Sequence, residues 1–321
     1  MLLKLVPAKT SVGFMKYRFP AFILSALLII ASIALVATRG LNFGVDFAGG
    51  SVIETSAPDG VEISDMRAFM GGLDLADINV NEARGTGTNA QQVYVIKFKT
   101  PETGPIAEAG PQAANDLVVS ELRQQFPTIE INSTSFVGPK VSGELLQAGV
   151  TALIAALVLM LAYIWFRFEW QFSVGAVAAL AHDVTITMGM FALTRLEFDL
   201  TTIAALLTII GYSMNDTVVV FDRVREEMRK YKKMALGQVI DLALNGTLSR
   251  TLLTSGTTLL ALLAIFFLGG PVLRGMSFAL IFGVIIGTYS SIFVASSILL
   301  TIGVDREKKP VDDIPGFQGA P

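Results

Sequence analysis

Three sets of polar residues interrupt otherwise apolar stretches of this chain, and each has the make-up of a proton-handling group. The first is Gly211-Tyr-Ser-Met-Asn-Asp216, where Thr208, Gly211, Tyr212, Asn215 and Asp216 fall on one helical stripe. Asp216 sits about five residues from one end of its apolar run, roughly 7–8 Å inside the hydrocarbon boundary. The second is His182-Asp183, near the middle of another run, with Thr187 one turn further on. The third is Ser249-Arg250, after which Thr254, Thr257 and Thr258 share a helical face with Arg250. A charged group at bilayer depth costs about 2.5–3.5 kcal/mol on insertion scales. Such groups are tolerated where they pair, carry protons or line a water path. Asp216 reads as a protonatable carboxyl in a relay, or as a carboxyl hydrogen-bonded for packing near an early helix end. His182 and Asp183 read as relay partners, or as a satisfied pair that fixes helix packing. Arg250 reads as a counter-charge for Asp216, or as a cation reaching for the membrane surface. The expected relay set is therefore Asp216, Arg250, Asp183, His182, Asn215 and Thr254.

The elements that must position these residues are transmembrane helices, which need about 20 mostly apolar residues each. Six runs qualify: Phe19–Ala37, Leu145–Phe166, Phe172–Leu193, Leu200–Phe221, Thr251–Leu268 and Met276–Ile302. Composition agrees: of 321 residues 52% are apolar and only 16% charged, with a mean hydropathy of +0.61. A soluble domain carries about a quarter charged residues, so an ordinary soluble enzyme is excluded. The net charge of −3 argues against nucleic-acid binding. With no Cys and one His, thiol chemistry and Cys- or His-rich metal sites are excluded, and neither cofactor nor metal is expected. The first run is longer than the 7–15 residues or so of a signal core and lacks a small-x-small cleavage site, so it reads as an uncleaved anchor.

The runs divide the chain into an N-terminal segment with the first helix (1–38), an α+β block (39–143), a five-helix bundle (144–303) and a Pro- and charge-rich tail (304–321) that reads as disordered. Within the block, strands are expected at 51–56, 78–83, 93–98 and 128–137, and helices at 64–69 and 115–126. The order strand, helix, strand, strand, helix, strand is that of a ferredoxin-like split βαβ fold; a strand-rich sandwich is the alternative. The block offers no nucleophile–base pair and no His, which points to a binding or lever module, not an enzyme. Most Lys and Arg outside the block fall in short segments on one side of the membrane. By the positive-inside rule both termini are then cytoplasmic and the block lies outside. The basic stretch 222–246 has helical spacing of Val224, Met228, Tyr231 and Ala235 and reads as an interfacial helix, with a Glu226–Lys230 pair one turn apart. Gly283 and Gly287 form a small-xxx-small packing signature.

Five stretches carry a resemblance when taken in order: Gly40-Leu-Asn-Phe-Gly-Val-Asp-Phe-Ala-Gly-Gly50, Val137-Gly-Pro-Lys-Val-Ser-Gly143, Ala181-His-Asp183, Gly211-Tyr-Ser-Met-Asn-Asp-Thr-Val-Val-Val-Phe-Asp-Arg-Val-Arg-Glu226 and Asn245-Gly-Thr-Leu-Ser-Arg-Thr-Leu-Leu-Thr254. On a 1+5 helix layout they resemble the SecD/SecF protein-export family, on its SecF side, within the RND superfamily. The resemblance implies one six-helix half of a two-half assembly, a ferredoxin-like periplasmic domain, and a place in the bacterial inner membrane. It also implies a SecD partner, the SecYEG translocon, a translocating preprotein as client, and use of the proton motive force for export. Asp216 matches the family's helix-four Asp and Arg250 its helix-five Arg, both implicated in proton passage. Three other readings compete: an RND-type exporter of lipids or small molecules acting as a homodimer, an aspartyl intramembrane protease, for which the Gly-x-Gly-Asp signature is missing, and a purely structural clamp.

Overall fold

The computed structural model describes residues 10–56, 60–73, 75–84, 92–99 and 105–304. The expected tail past residue 304 and the first nine residues lie outside the described residues. A short 3-10 turn (Phe14–Tyr17) leads into α1 (Arg18–Arg39). Then come β1 (Asn42–Phe43), α2 (Val45–Ala48), β2 (Gly50–Ser56), α3 (Ile63–Gly71), β3 (Ala76–Arg84), β4 (Gln92–Lys99), α4 (Pro105–Gln125) and β5 (Ile131–Val137). The strands form an antiparallel sheet of order β3-β4-β2-β5, which is the ferredoxin-like arrangement. Alternation decides the faces: Ile53, Val80, Tyr94, Ile96 and Phe98 are buried together with Met66 and Met70 of α3 and Val118 and Leu122 of α4. The expected elements appear in the expected order, preceded by β1 and α2, and their ends lie close to expectation except the start of α4. The largest change is α4, which begins at Pro105 and kinks at Gly110, whose φ is 87°, just before Pro111.

The remaining helices are α5 (Pro139–Arg167), α6 (Trp170–Thr194), α7 (Leu200–Lys230), α8 (Leu236–Leu268) and α9 (Pro271–Tyr289). The last continues through a π turn (Ser290–Ala295) into α10 (Ser296–Ile302). Together with α1 they make six helices long and apolar enough to span a membrane. α6 is central and buried along most of its length, packed by α1, α5, α7, α9 and the π turn. α1, α5 and α8 expose apolar side chains such as Ile23, Ile30, Ile154, Leu159, Leu260 and Phe267, the outward face expected of lipid-contacting helices. Gly283 lets α9 approach α7: a Cβ there would lie 3.0 Å from Ile209 Cγ2.

The stretch 222–246 departs from expectation. It does not form a separate interfacial helix. α7 runs on to Lys230, the chain turns, and α8 starts at Leu236, so the stretch is a helical hairpin that lengthens two spans. Val224, Ile240, Ala243 and Leu244 are buried in the bundle core, with Met228 packed against it, while Tyr231 and Ala235 of the expected apolar stripe are exposed at the turn. The Glu226–Lys230 pair forms at 2.7 Å.

Three features join the α+β domain to the bundle. A two-stranded parallel pairing links β1 to β6 (Glu197–Phe198), between α6 and α7. On the helix-free face of the sheet, Lys97 of β4 ion-pairs with Glu197. At the start of α7, Asp199 Oδ1 accepts the Thr202 amide at 2.8 Å while Asp46 Oδ2 of α2 accepts the Leu200 amide at 3.0 Å. Carboxylates there satisfy orphan amides and complement the helix dipole. The glycines that follow α2 are required by geometry: Gly49 has φ 73° and Gly50 φ 140°, and a Cβ on Gly50 would lie 2.6 Å from the Phe98 carbonyl oxygen.

Candidate functional site

Among the described residues the membrane interior of the bundle holds two carboxylates, each with a side-chain partner on both oxygens. Asp183 of α6 is 0% exposed. Its Oδ2 accepts hydroxyls from Ser213 of α7 at 2.6 Å and Ser290 of the π turn at 2.7 Å. Its Oδ1 lies 2.9 Å from Nδ1 of His182, itself 2% exposed. His182 Nε2 lies 3.2 Å from Ser25 Oγ of α1, and Ser25 Oγ lies 3.0 Å from the hydroxyl of Tyr289, whose ring stacks on the imidazole. Thr187 donates to the Asp183 carbonyl oxygen at 2.7 Å, an ordinary back-bond one turn on. This cluster ties α1, α6, α7 and the sixth span at one level.

Asp216 of α7 is only partly buried. Thr251 of α8 donates to its Oδ1 at 2.6 Å and Ser291 to its Oδ2 at 2.5 Å. Adjacent serines therefore serve different carboxylates, Ser290 on Asp183 and Ser291 on Asp216. Each has a second acceptor 3.1 Å away, the carbonyl three residues back, Gly287 for Ser290 and Thr288 for Ser291. The π turn that begins at Ser290 adds a residue to the helical turn. A second hydroxyl line runs alongside: Tyr212 to Ser255 at 3.4 Å and Ser255 to Thr288 at 2.8 Å.

The structure brings together His182, Asp183 and Asp216 through these hydroxyls, and separates them from Arg250. Thr251 takes the place expected for Arg250 beside Asp216. Among the described residues Asp216 has no ion-pair partner. Arg250 is exposed, as are Asn215, Thr208 and Thr254. Thr254 donates to the backbone carbonyls of Arg250 and Thr251, both at 3.0 Å. One residue along a helix is a 100° rotation, which decides that Thr251 and not Arg250 faces inward. The polar stripe of α7 thus splits within this single chain: Tyr212 and Asp216 turn toward α8 and the sixth span, Thr208 and Asn215 turn outward.

Sequence reasoning missed Ser25, Ser213, Thr251, Thr288, Tyr289, Ser290 and Ser291. A signal for four of them exists: Thr288-Tyr-Ser-Ser291 is a run of four hydroxyl side chains inside an apolar span.

Comparison with known proteins decides the family. The model described as "Protein export membrane protein SecD/SecF, C-terminal" matches residues 118–305, and the "SecD/SecF GG Motif" matches residues 34–57. The chain belongs to the SecD/SecF family. The protein translocase subunit SecF of Rhodobacter capsulatus is 48% identical over 319 residues, covering 98% of this chain and 96% of that protein. The SecF subunit of Cereibacter sphaeroides is 46% identical over 318 residues, 99% of this chain and 98% of that protein. Among solved structures, SecDF from Thermus, described as a translocon-associated membrane protein, superposes with a TM-score of 0.77 at 33% identity, over 93% of this chain. This chain spans 39% of the SecDF chain. The SecD/SecF C-terminal region contains His182, Asp183, Asp216, Arg250 and the π turn. The GG motif region contains Asp46, Gly49 and Gly50, the segment that caps α7.

Proposed function

We propose that this chain is the SecF half of a SecDF assembly of the RND type, and that it assists Sec-dependent protein export across the bacterial inner membrane at the expense of the proton motive force. The observation that carries the reading is Asp216, an ionisable carboxyl inside a membrane span with a hydroxyl donor on each oxygen. An ionised carboxylate accepts both. A protonated one becomes a donor itself, so one of Thr251 and Ser291 must turn away. A proton moving down the membrane potential releases about 2.3 kcal/mol per 100 mV, enough to bias a two-state packing of α7, α8 and the sixth span. The contacts of Asp46 and Lys97 carry such a change to the α+β domain, which lies on the periplasmic side with both termini cytoplasmic. The exposed Asn215, Arg250 and Thr254 mark the face where SecD supplies the other six-helix half, and Arg250 meets the proton path there. The partners are SecD, SecYEG and the translocating preprotein; the role is transport, not enzymatic turnover.

The test is proton-gradient-dependent export in cells carrying Asp216→Asn at matched protein levels. Export falls at least tenfold if the reading holds; unchanged export removes Asp216 from the mechanism. Affinity isolation from native membranes separates the readings further. Recovery of SecD and SecYEG supports the export assembly, while recovery of a second copy of this chain alone supports a homodimeric exporter.

A further inference from the structure

The hydroxyl groups around His182 each carry one hydrogen, so the direction of every bond can be counted. The Tyr289 hydroxyl lies 2.9 Å from the carbonyl oxygen of Ala21, which can only accept, and donates its one hydrogen there. Ser25 Oγ, 3.0 Å from the phenol oxygen, then donates to it. His182 Nε2, 3.2 Å from Ser25 Oγ, must in turn carry a hydrogen and donate to Ser25. On the other side of the ring, Nδ1 faces Asp183 Oδ1 at 2.9 Å. Two bare lone pairs at that distance repel, so one proton lies between them. The remaining carboxylate oxygen is taken by Ser213 and Ser290.

We propose that His182 and Asp183 form a second proton station of this bundle, holding one proton between Nδ1 and Oδ1, with Ser25 and Tyr289 as positioning hydroxyls whose direction records its presence. The inference extends the proton coupling proposed for Asp216 to a second carboxyl, and it stands on the geometry of this cluster alone. The loaded pair is neutral overall. The unloaded pair holds one proton fewer: Nδ1–H donates to a carboxylate, Nε2 is bare and accepts from Ser25, Ser25 accepts from Tyr289, and the Ala21 carbonyl loses the phenol. Loading adds one proton and reverses the two hydroxyls, and nothing else is required. The groups facing the pair are Ser25 from α1, Ser213 from α7, and Tyr289 and Ser290 from the sixth span. Asp216 is the neighbouring carboxyl, joined through Ser290 and Ser291. Among the described residues no Lys or Arg ion-pairs with Asp183.

Because His182 is the only histidine of the chain, its ring nitrogens can be read without assignment. The experiment is nitrogen-15 NMR of the full chain, labelled at histidine, carrying a tag without histidine and held in lipid nanodiscs. The expected result is a protonated Nε2 in the wild type. In Tyr289→Phe the Nε2 signal moves to the unprotonated range, because Ser25 has lost its acceptor and turns to the ring. Ser213→Ala, which touches only the far carboxylate oxygen, leaves Nε2 protonated. A bare Nε2 in the wild type overturns the proposal, and a signal unmoved by Tyr289→Phe removes the phenol from it. Neither result depends on the export assay. Failed export with Asp216→Asn beside a bare wild-type Nε2 leaves the proposed function standing and this inference fallen.

Discussion

Asp183 and Asp216 occupy neighbouring helices and share a pair of adjacent serines, yet their surroundings differ. Asp183 is sealed, with both oxygens met by side chains of α6, α7 and the sixth span and the ring of His182 against it. Asp216 is held by two hydroxyls at the edge of an open face, where Asn215 and Arg250 point away from this chain. The contrast separates two jobs that the sequence presents alike. A sealed carboxyl is chiefly a packing element that can hold a proton. A half-open one is built to meet something else.

Substitutions can break or sharpen that contrast. The largest effect is expected for Asp183→Ala, which strands the His182 ring and the Ser213 hydroxyl in the interior and leaves Ser290 only the Gly287 carbonyl. Each orphaned buried group costs about 1–3 kcal/mol, so thermal unfolding in lipid or detergent should drop far more than for Asp216→Ala. Equal drops would erase the distinction. Gly189→Ala comes next. A Cβ there would lie 2.6 Å from Ser32 Cα, a backbone atom of α1 that cannot swing aside. Forcing α1 from α6 costs about 1–3 kcal/mol, and it should disturb the His182–Ser25 contact while leaving Asp216 intact, as NMR of the single histidine would show. Thr251→Val removes one donor from Asp216 and should lower stability by about 1 kcal/mol, measured by the same unfolding. Arg250→Ala should change the unfolding of the isolated chain by no more than about 0.5 kcal/mol, yet abolish gradient-dependent export. A large loss of stability would mean that Arg250 packs within this chain.

Much of this architecture is legible without coordinates, because apolar runs and strand alternation are strong periodic signals. Asp183, His182 and Asp216 stand out for the same reason: ionisable groups are rare in hydrocarbon. Their partners are harder to see. Hydroxyl side chains are common in spans and usually bond their own helix, as Thr208, Thr257 and Thr301 do here. Nothing local distinguishes them from Ser213, and the run Thr288-Tyr-Ser-Ser291 marks a polar patch without saying which carboxylate each hydroxyl serves; those roles are fixed by what lies across the helix contact. Arg250 and Thr251 differ in facing by a single step along α8: the stripe of Arg250, Thr254 and Thr257 lies on the exposed face, and Thr251, one step on, reaches Asp216. The hairpin at 222–246 differs from the expected interfacial helix because Val224 and Met228 belong to α7 and pack into the bundle, while the chain turns at Tyr231 and leaves Tyr231 and Ala235 exposed; helical spacing alone does not show where a helix ends.

The double cap on α7 has a mechanical consequence. The helix is a rod of 31 residues, and Asp216 sits about 24 Å along it from the first turn. A tilt of about 5° pivoting at Asp216 would swing that first turn sideways by about 2 Å, by the same rise per residue. The Asp46 bond, at 3.0 Å, cannot stretch that far. The Val45–Ala48 turn must travel with the rod, dragging the first strand of the sheet behind it, or let go.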